Sequence, residues 1–329
     1  MIIKRLSKKI PTTVVVGSAL AGGFGLACLI KEYVGGLKYQ GTDTSNAEGK
    51  VIIITGANTG IGKETAWELA RRNAKVYMAC RDMARCEAAR EEIVLDTKNK
   101  YVYCRSCDLA SLESIREFVK NFKSKEQKLD VLINNAGVMR TPNSKTKDGF
   151  EMQLGVNHMG HFLLTNLLLD MLKQSAPSRI INVSSVAHKR GEINKEDLNS
   201  DKSYDPSNAY AQSKLANILF TNELAKRLEG TGVTANSVHP GIVDTELTRH
   251  MSFFSSWISS IFLKPLMWPF IKSPKQGAQT VIYLAIDTRL EKTTGKYFSN
   301  YEEISTSEKA KDESTARWLW LTSAKWTRL

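Results

Sequence analysis

The stretch VIIITGANTGIGK, from Val51 to Lys63, limits what this chain can fold into more than any other. Four β-branched apolar residues in a row, Val51 to Ile54, describe a strand buried on both faces of a parallel sheet. The run stops at Gly56. Gly60 and Gly62 remove side chains where a turn must let a phosphate-sized ligand approach the backbone, and Ile61 to Arg72 continues as an amphipathic helix whose first amides point back at that turn. Strand, glycine turn and helix N-terminus together make an anion site. The spacing, with glycines at 56, 60 and 62, departs from the GxGxxG of the general dinucleotide fingerprint; the flanking strand and helix give it its force.

Downstream, strand and helix patterns alternate. Strands are expected at Val51–Thr55, Lys75–Cys80, Tyr101–Cys107, Asp130–Asn134, Arg179–Ser184, Val233–Val238 and near Gly295–Phe298. Helices are expected at Ile61–Arg72, Asp82–Leu95, Ser111–Glu126, Phe150–Gln174, Ser207–Leu228 and Pro274–Ala285. Right-handed crossovers place such helices on both faces of a parallel sheet, so the pattern implies an α/β fold: a single Rossmann-type doubly wound sheet. The organisation expected is an N-terminal anchor or targeting segment over 1–36, a linker over 37–50, a dinucleotide-binding catalytic domain over 51–300 and a helical tail over 301–329.

The net charge is +12, yet Lys4, Arg5, Lys8, Lys9 and Lys31 supply +5 of it from an end without acids. The rest is mildly basic and lacks an Arg-rich aromatic stripe, which argues against nucleic acid as a partner. Five cysteines, an odd number scattered through apolar positions, argue against a secreted disulfide framework. Cys104 and Cys107 form a C-x-x-C at the end of a strand, with no second pair and no suitably spaced His, and read as packed thiols.

Pro11 to Ile30 is twenty uncharged residues flanked by lysines, long enough to cross about 30 Å of hydrocarbon as a helix. It reads as a membrane anchor, with a cleaved signal peptide or a mitochondrial targeting segment as alternatives. The endoplasmic reticulum and the mitochondrial inner membrane both stay open. Near the other end, residues 246–272 are rich in Phe, Trp, Ile and Leu but interrupted by Pro and Ser; they form a substrate lid, a patch that touches the bilayer, or a segment packed on the core.

Chemistry-bearing residues gather at the carboxyl ends of the strands. Arg81 follows the second strand, where an acid would hold a ribose 2′-hydroxyl; an Arg offers its fork to a 2′-phosphate, and Lys63 adds a second charge, favouring NADP(H) over NAD(H). Asn134, Asn135, Ala136 and Gly137 close the fourth strand with a small-residue turn. Ser184 and Ser185 end the fifth. Tyr210 and Lys214 lie one turn apart on the next helix and share a face. Pro240 and Gly241 follow the sixth strand. His158, His161 and His239 fall on separate or non-facing positions and read as structural, so no metal site is expected.

This ordered set resembles the short-chain dehydrogenase/reductase family and, in the strings TGANTGIGK at 55–63, NHMGHF at 157–162 and YAQSKLA at 210–216, its retinol dehydrogenase branch. The resemblance spans about Gly49 to Phe298. It implies Tyr210 as general acid/base, Lys214 as ribose ligand and electrostatic support, Ser185 as holder of the substrate oxygen, and Asn157 as support for a proton-relay water. It also implies NADP(H) contacts from Gly56, Ala57, Asn58, Thr59, Gly60, Ile61, Gly62, Lys63, Arg81, Asp108, Leu109, Asn135, Ala136, Gly137, Tyr210, Lys214, Pro240, Gly241 and Thr245. A free phenol titrates near ~10, and a neighbouring ammonium favours its phenolate. The substrate implied is a lipophilic alcohol and its aldehyde or ketone, with retinol and retinal the leading pair; other lipid-derived or steroid carbonyls, and a non-catalytic NADPH-sensing membrane protein, are the alternatives. Such relatives often pair, which leaves a homodimer open. The polar stretch His188 to Asp205, between Ser185 and Tyr210, departs from the simplest family pattern.

Overall fold

The computed structural model describes residues 28, 29, 31, 47–247 and 268–329. Most of the expected anchor, linker and lid lie outside these, and among the described residues no helix is long and apolar enough to cross a membrane.

Among the described residues, eight strands form one sheet, in the order β3-β2-β1-β4-β5-β6-β7-β8. They are β1 (Val51–Thr55), β2 (Lys75–Cys80), β3 (Val102–Ser106), β4 (Val131–Asn134), β5 (Ser178–Val183), β6 (Val233–His239), β7 (Tyr297–Ser299) and β8 (Glu302–Glu303). All pairings are parallel except the last. The antiparallel β8 went unseen in the sequence, since two charged residues carry no strand pattern. β1 is wholly buried, as an apolar run between two helix layers must be. Chain order reverses between β1 and β4, which opens a crevice beyond their carboxyl ends.

One helix layer holds α1 (Gly60–Arg71), α2 (Met83–Thr97) and α6 (Pro274–Ile286), packed on Ile52, Ile54, Met78 and Ile181. The other holds α3 (Leu112–Lys123), α4 (Gly160–Gln174), α5 (Pro206–Arg227) and α7 (Glu313–Thr327), packed on Ile53, Leu132 and Ile180. Alternate residues of one strand thus feed opposite cores. The tail helix α7 is docked: its Trp320 meets Phe162 edge-on with 5.0 Å between ring centroids, and Ser323 Oγ bonds His158 Nε2 at 2.9 Å.

Two expectations change. Phe150–Gln174 is not one regular helix: a turn at Met152–Leu154 leads into a π-helical segment, Gly155–Met159, before α4. Hydrophobic period alone does not separate i→i+4 from i→i+5 hydrogen bonding over so short a segment. Cys104 is also not a packed thiol, for it forms a disulfide with Cys86 of α2; Cys80 and Cys107 are free and buried. The sequence places Cys86 and Cys104 on different elements, and only helix-on-strand packing brings them together.

Candidate active site

A cleft of about 280 Å³ runs along the carboxyl edge of the sheet, from Arg81 and Asp108 at one end to Ser185, Tyr210 and Lys214 at the other. A larger concavity, of about 780 Å³, lies by the start of β6 among Glu223, Lys226, Glu291 and Lys292. We assign the site to the smaller one, because it gathers the glycine turn at 56–62 with Ser185, Tyr210 and Lys214, none of which lines the larger one.

At the cleft's first end, Gly56 takes φ +64°, a left-handed conformation that a side chain would strain. A Cβ on Gly62 would collide with the Gly56 carbonyl oxygen and lie 2.6 Å from Asn135 Nδ2. Thr59 precedes α1 and its side chain does not cap it, so Thr59 leaves the helix's leading amides open. A turn emptied of side chains before an uncapped helix suits the phosphates of a dinucleotide. Arg81 is exposed and lines the cleft, and Asp82 accepts from Arg85 N at 3.1 Å as the cap of α2, so its carboxylate serves the helix. Lys63 and Ala57 stand outside the lining: Lys63 pairs with Glu92 of α2, and Ala57 is fully buried. Arg85, unnoticed in the sequence, does line the cleft and pairs with Glu246. Asp108, Leu109, Asn135, Ala136, Gly137, Pro240, Gly241 and Thr245 all line it too.

Thr55 organises the middle. Its hydroxyl accepts from Asn135 N at 2.9 Å and Ala136 N at 3.0 Å, and lies 2.9 Å from His161 Nε2. His161 Nδ1 faces the Asn157 carbonyl at 3.0 Å, an acceptor only, so Nδ1 carries the hydrogen and Nε2 accepts from Thr55. Burial holds His161 down at about 4, His158 at about 3 and His239 at about 4, so all three are neutral at pH 7. His161 and His158 thus have structural partners, as their positions suggested. That Thr55 would matter was legible only as a polar residue closing an apolar strand.

Asn157 sits in the π-helical segment and is fully buried. Its Oδ1 accepts from Val138 N at 2.8 Å, and its Nδ2 donates to Val138 O at 2.9 Å and to Ser213 Oγ at 2.9 Å. The amide therefore locks the loop after β4 to α5.

At the reacting end, Asp205 caps α5 and Pro206 opens it, so Tyr210 and Lys214 enter on its second and third turns. Both are buried, at 5% and 3% exposure. Lys214 Nζ donates to Val183 O at 3.1 Å and lies 5.7 Å from the centroid of the Tyr210 ring. Burial pushes the Tyr210 phenol up to about 12, against smaller downward pulls from a hydrogen bond with Ser185 and from the Arg190 charge. Burial also brings the Lys214 ammonium down to about 8. Desolvation therefore outweighs the phenolate-favouring partner expected from sequence. Ser184 Oγ donates to Lys214 O at 2.7 Å, tying β5 to α5, and Ser185 caps a 3-10 turn, Val186–Arg190, by accepting from Ala187 N at 3.2 Å.

With this geometry in hand, the comparisons with known proteins agree. A family model described as short chain dehydrogenase matches residues 50–253. Retinol dehydrogenase 13 of Homo sapiens is 53% identical over 311 residues, covering 94% of this chain and 93% of the relative. Retinol dehydrogenase 12 of Homo sapiens is 55% identical over 272 residues, 83% of this chain and 84% of that one. An uncharacterised protein from Mycobacterium paratuberculosis has a similar structure, with TM-score 0.71 and 37% identity, covering 89% of this chain and 98% of that one. RhlG of Pseudomonas aeruginosa, solved as an active-site complex with NADP, gives TM-score 0.63 at 25% identity, over 78% of this chain and 96% of that one. A glycine turn that admits phosphates, a buried phenol beside a buried amine, and relatives at this identity lead to one conclusion: the chain belongs to the short-chain dehydrogenase family, in its retinol dehydrogenase branch, and is an oxidoreductase that acts on CH–OH donors with a nicotinamide dinucleotide.

Proposed function

We propose that the protein interconverts a lipophilic alcohol and its aldehyde with NADP(H), retinol and retinal being the leading pair, and that Tyr210 moves the proton. The observation that carries this reading is that Ser185, Tyr210 and Lys214 line one end of the same cleft that holds the glycine turn at the other, with Tyr210 and Lys214 both buried. Gly56 to Gly62 would hold the dinucleotide's phosphates, Arg81 its 2′-phosphate and Lys214 its nicotinamide ribose. Bound there, the cofactor supplies or accepts the hydride.

In reduction, Tyr210 gives its phenolic proton to the carbonyl oxygen while Ser185 donates a second hydrogen bond to the same atom. A phenol held near 12 is fully protonated at pH 7, which suits it as the acid. In oxidation Tyr210 must first lose that proton, and the Lys214 charge, one turn away, favours the phenolate.

The name shared by the curated relatives supports retinol as substrate. Exposed apolar residues support it as well: Ile242, between the cleft-lining Gly241 and Val243, is 56% exposed, and Trp268 and Phe270 are 42% and 46% exposed, which suits a substrate that arrives from a lipid surface. We propose membrane association on the same ground, with the apolar stretch 11–30 as anchor. The deciding experiment supplies purified protein with all-trans-retinal, steroid ketones and lipid-peroxidation aldehydes, each with NADPH or NADH. Fastest turnover with retinal and NADPH is expected; faster turnover of the other carbonyls reassigns the substrate, and faster turnover with NADH reassigns the cofactor.

A further inference from the structure

The polar stretch after Ser185 contains one residue that the proposed chemistry does not yet use. His188 is fully buried three positions beyond Ser185. Its Nδ1 lies 2.7 Å from the Ser185 carbonyl oxygen, and Ser307 N donates to its Nε2 at 3.3 Å. The ring is also held edge-on against Tyr297 of β7, with 4.9 Å between centroids. A carbonyl only accepts and a backbone amide only donates, so the two contacts together require one state: the neutral imidazole with its hydrogen on Nδ1. Burial favours that same neutral ring.

We infer that His188 is a positioning residue for the reaction: its Nδ1–H fixes the Ser185 main chain so that the Ser185 hydroxyl meets the substrate oxygen together with Tyr210. Ser185 has half-buried, extended backbone at the end of β5. The residue before it is tied by Ser184 Oγ to Lys214 O, on the α5 side. On the far side, the chain turns at once into the 3-10 segment, and its carbonyl has His188 as its side-chain partner. Rotation of that peptide would carry the hydroxyl away from Tyr210 without disturbing the glycine turn at the other end of the cleft. The Ser307 contact, in turn, holds the ring against the segment that leads into α7. The same carbonyl also accepts from His188 N at 3.1 Å, so the imidazole is the side-chain half of a two-point anchor. A displacement of about 1 Å at a reacting group can reduce a rate about 100-fold, which gives that half kinetic weight.

This inference rests on the proposed role of Ser185, and two near-isosteric variants separate it from plain packing. Asn places an amide donor near the Nδ1 position and no atom at Nε2; Gln places its amide oxygen near Nε2 and no donor at Nδ1. The measurement is kcat and KM with NADPH and the best carbonyl substrate, alongside NADPH affinity by fluorescence titration, for wild type, His188→Asn, His188→Gln and His188→Ala. His188→Gln and His188→Ala are expected to lose kcat about tenfold or more with NADPH affinity within about twofold, and His188→Asn to recover most of the rate. NADPH binding reports that each variant is folded. Equal rates for Asn and Gln, or rescue by Gln alone, overturn the positioning role while leaving the oxidoreductase reading intact. A wild-type protein without turnover of any carbonyl overturns the reading of the site, and the role of His188 with it.

Discussion

The two ends of the cleft are built by different means. At the end under β1 and β2 the work is done by backbone: Gly56 in a left-handed conformation, Gly62 where no Cβ fits, and an uncapped helix start. At the end under β5 and β6 it is done by buried ionisable side chains, whose protonation is set by what surrounds them: Tyr210 pushed up to about 12, Lys214 brought down to about 8, His239 held at about 4. The first end offers shape and fixed dipoles, which respond little to pH. The second, on the proposed mechanism, would act by moving a proton, so its properties follow from desolvation and from a few contacts between remote segments.

The sharpest way to break this division is Tyr210→Phe. If the reacting end alone moves the proton, kcat falls about 10²–10⁴-fold while NADPH affinity, by fluorescence titration, stays within about twofold. A loss below tenfold would take Tyr210 out of the acid/base role, and a parallel loss of affinity would show that the two ends are not separable. A smaller effect is expected at the opposite end. Arg81→Ala should weaken NADPH binding about 10–100-fold and NADH binding by far less, with kcat at saturation little changed. Equal losses for both cofactors would mean that Arg81 does not read a 2′-phosphate.

The smallest effect concerns stability. Lys214 sheds its proton near pH 8 in the folded protein, against a reference value of 10.5. Between those values the unfolded chain binds more protons, so the stability contributed by this group rises with pH and is lost as pH falls back through about 8. From pH 8 to pH 9 the gain is at most about 1.4 kcal/mol. It is read as the difference in urea midpoint between wild type and Lys214→Met over that range. A constant difference would mean that the amine is not desolvated in the folded state.

The helix that carries Tyr210 and Lys214 was visible from its spacing, as was the strand that runs into the glycine turn, because local period and local steric need are written in consecutive residues. Apart from the start of the helix expected at Phe150–Gln174, the expected strands and helices fall within a few residues of those observed, from β1 to α6. Less visible was anything that depends on where a side chain turns once the layers have packed. Lys63, one residue past the glycine turn, seemed placed for a phosphate but reaches Glu92 on the neighbouring helix, whereas Arg85 faces the cleft. Nor did the motif around Asn157 show that its amide would tie Val138 to Ser213.

By itself, then, the amino-acid order determined the alternation of strands and helices, the phosphate-admitting turn, and the pairing of a phenol with an amine one turn apart. Each is a property of residues within a few positions of one another. Tertiary structure alone decided the Cys86–Cys104 bond, the π-helical segment at Asn157, the contact of His188 with Ser307 across 119 positions, and the opposite shifts of Tyr210 and Lys214. These depend on burial and on encounters between distant segments, and neither exists until two helix layers have closed on the sheet.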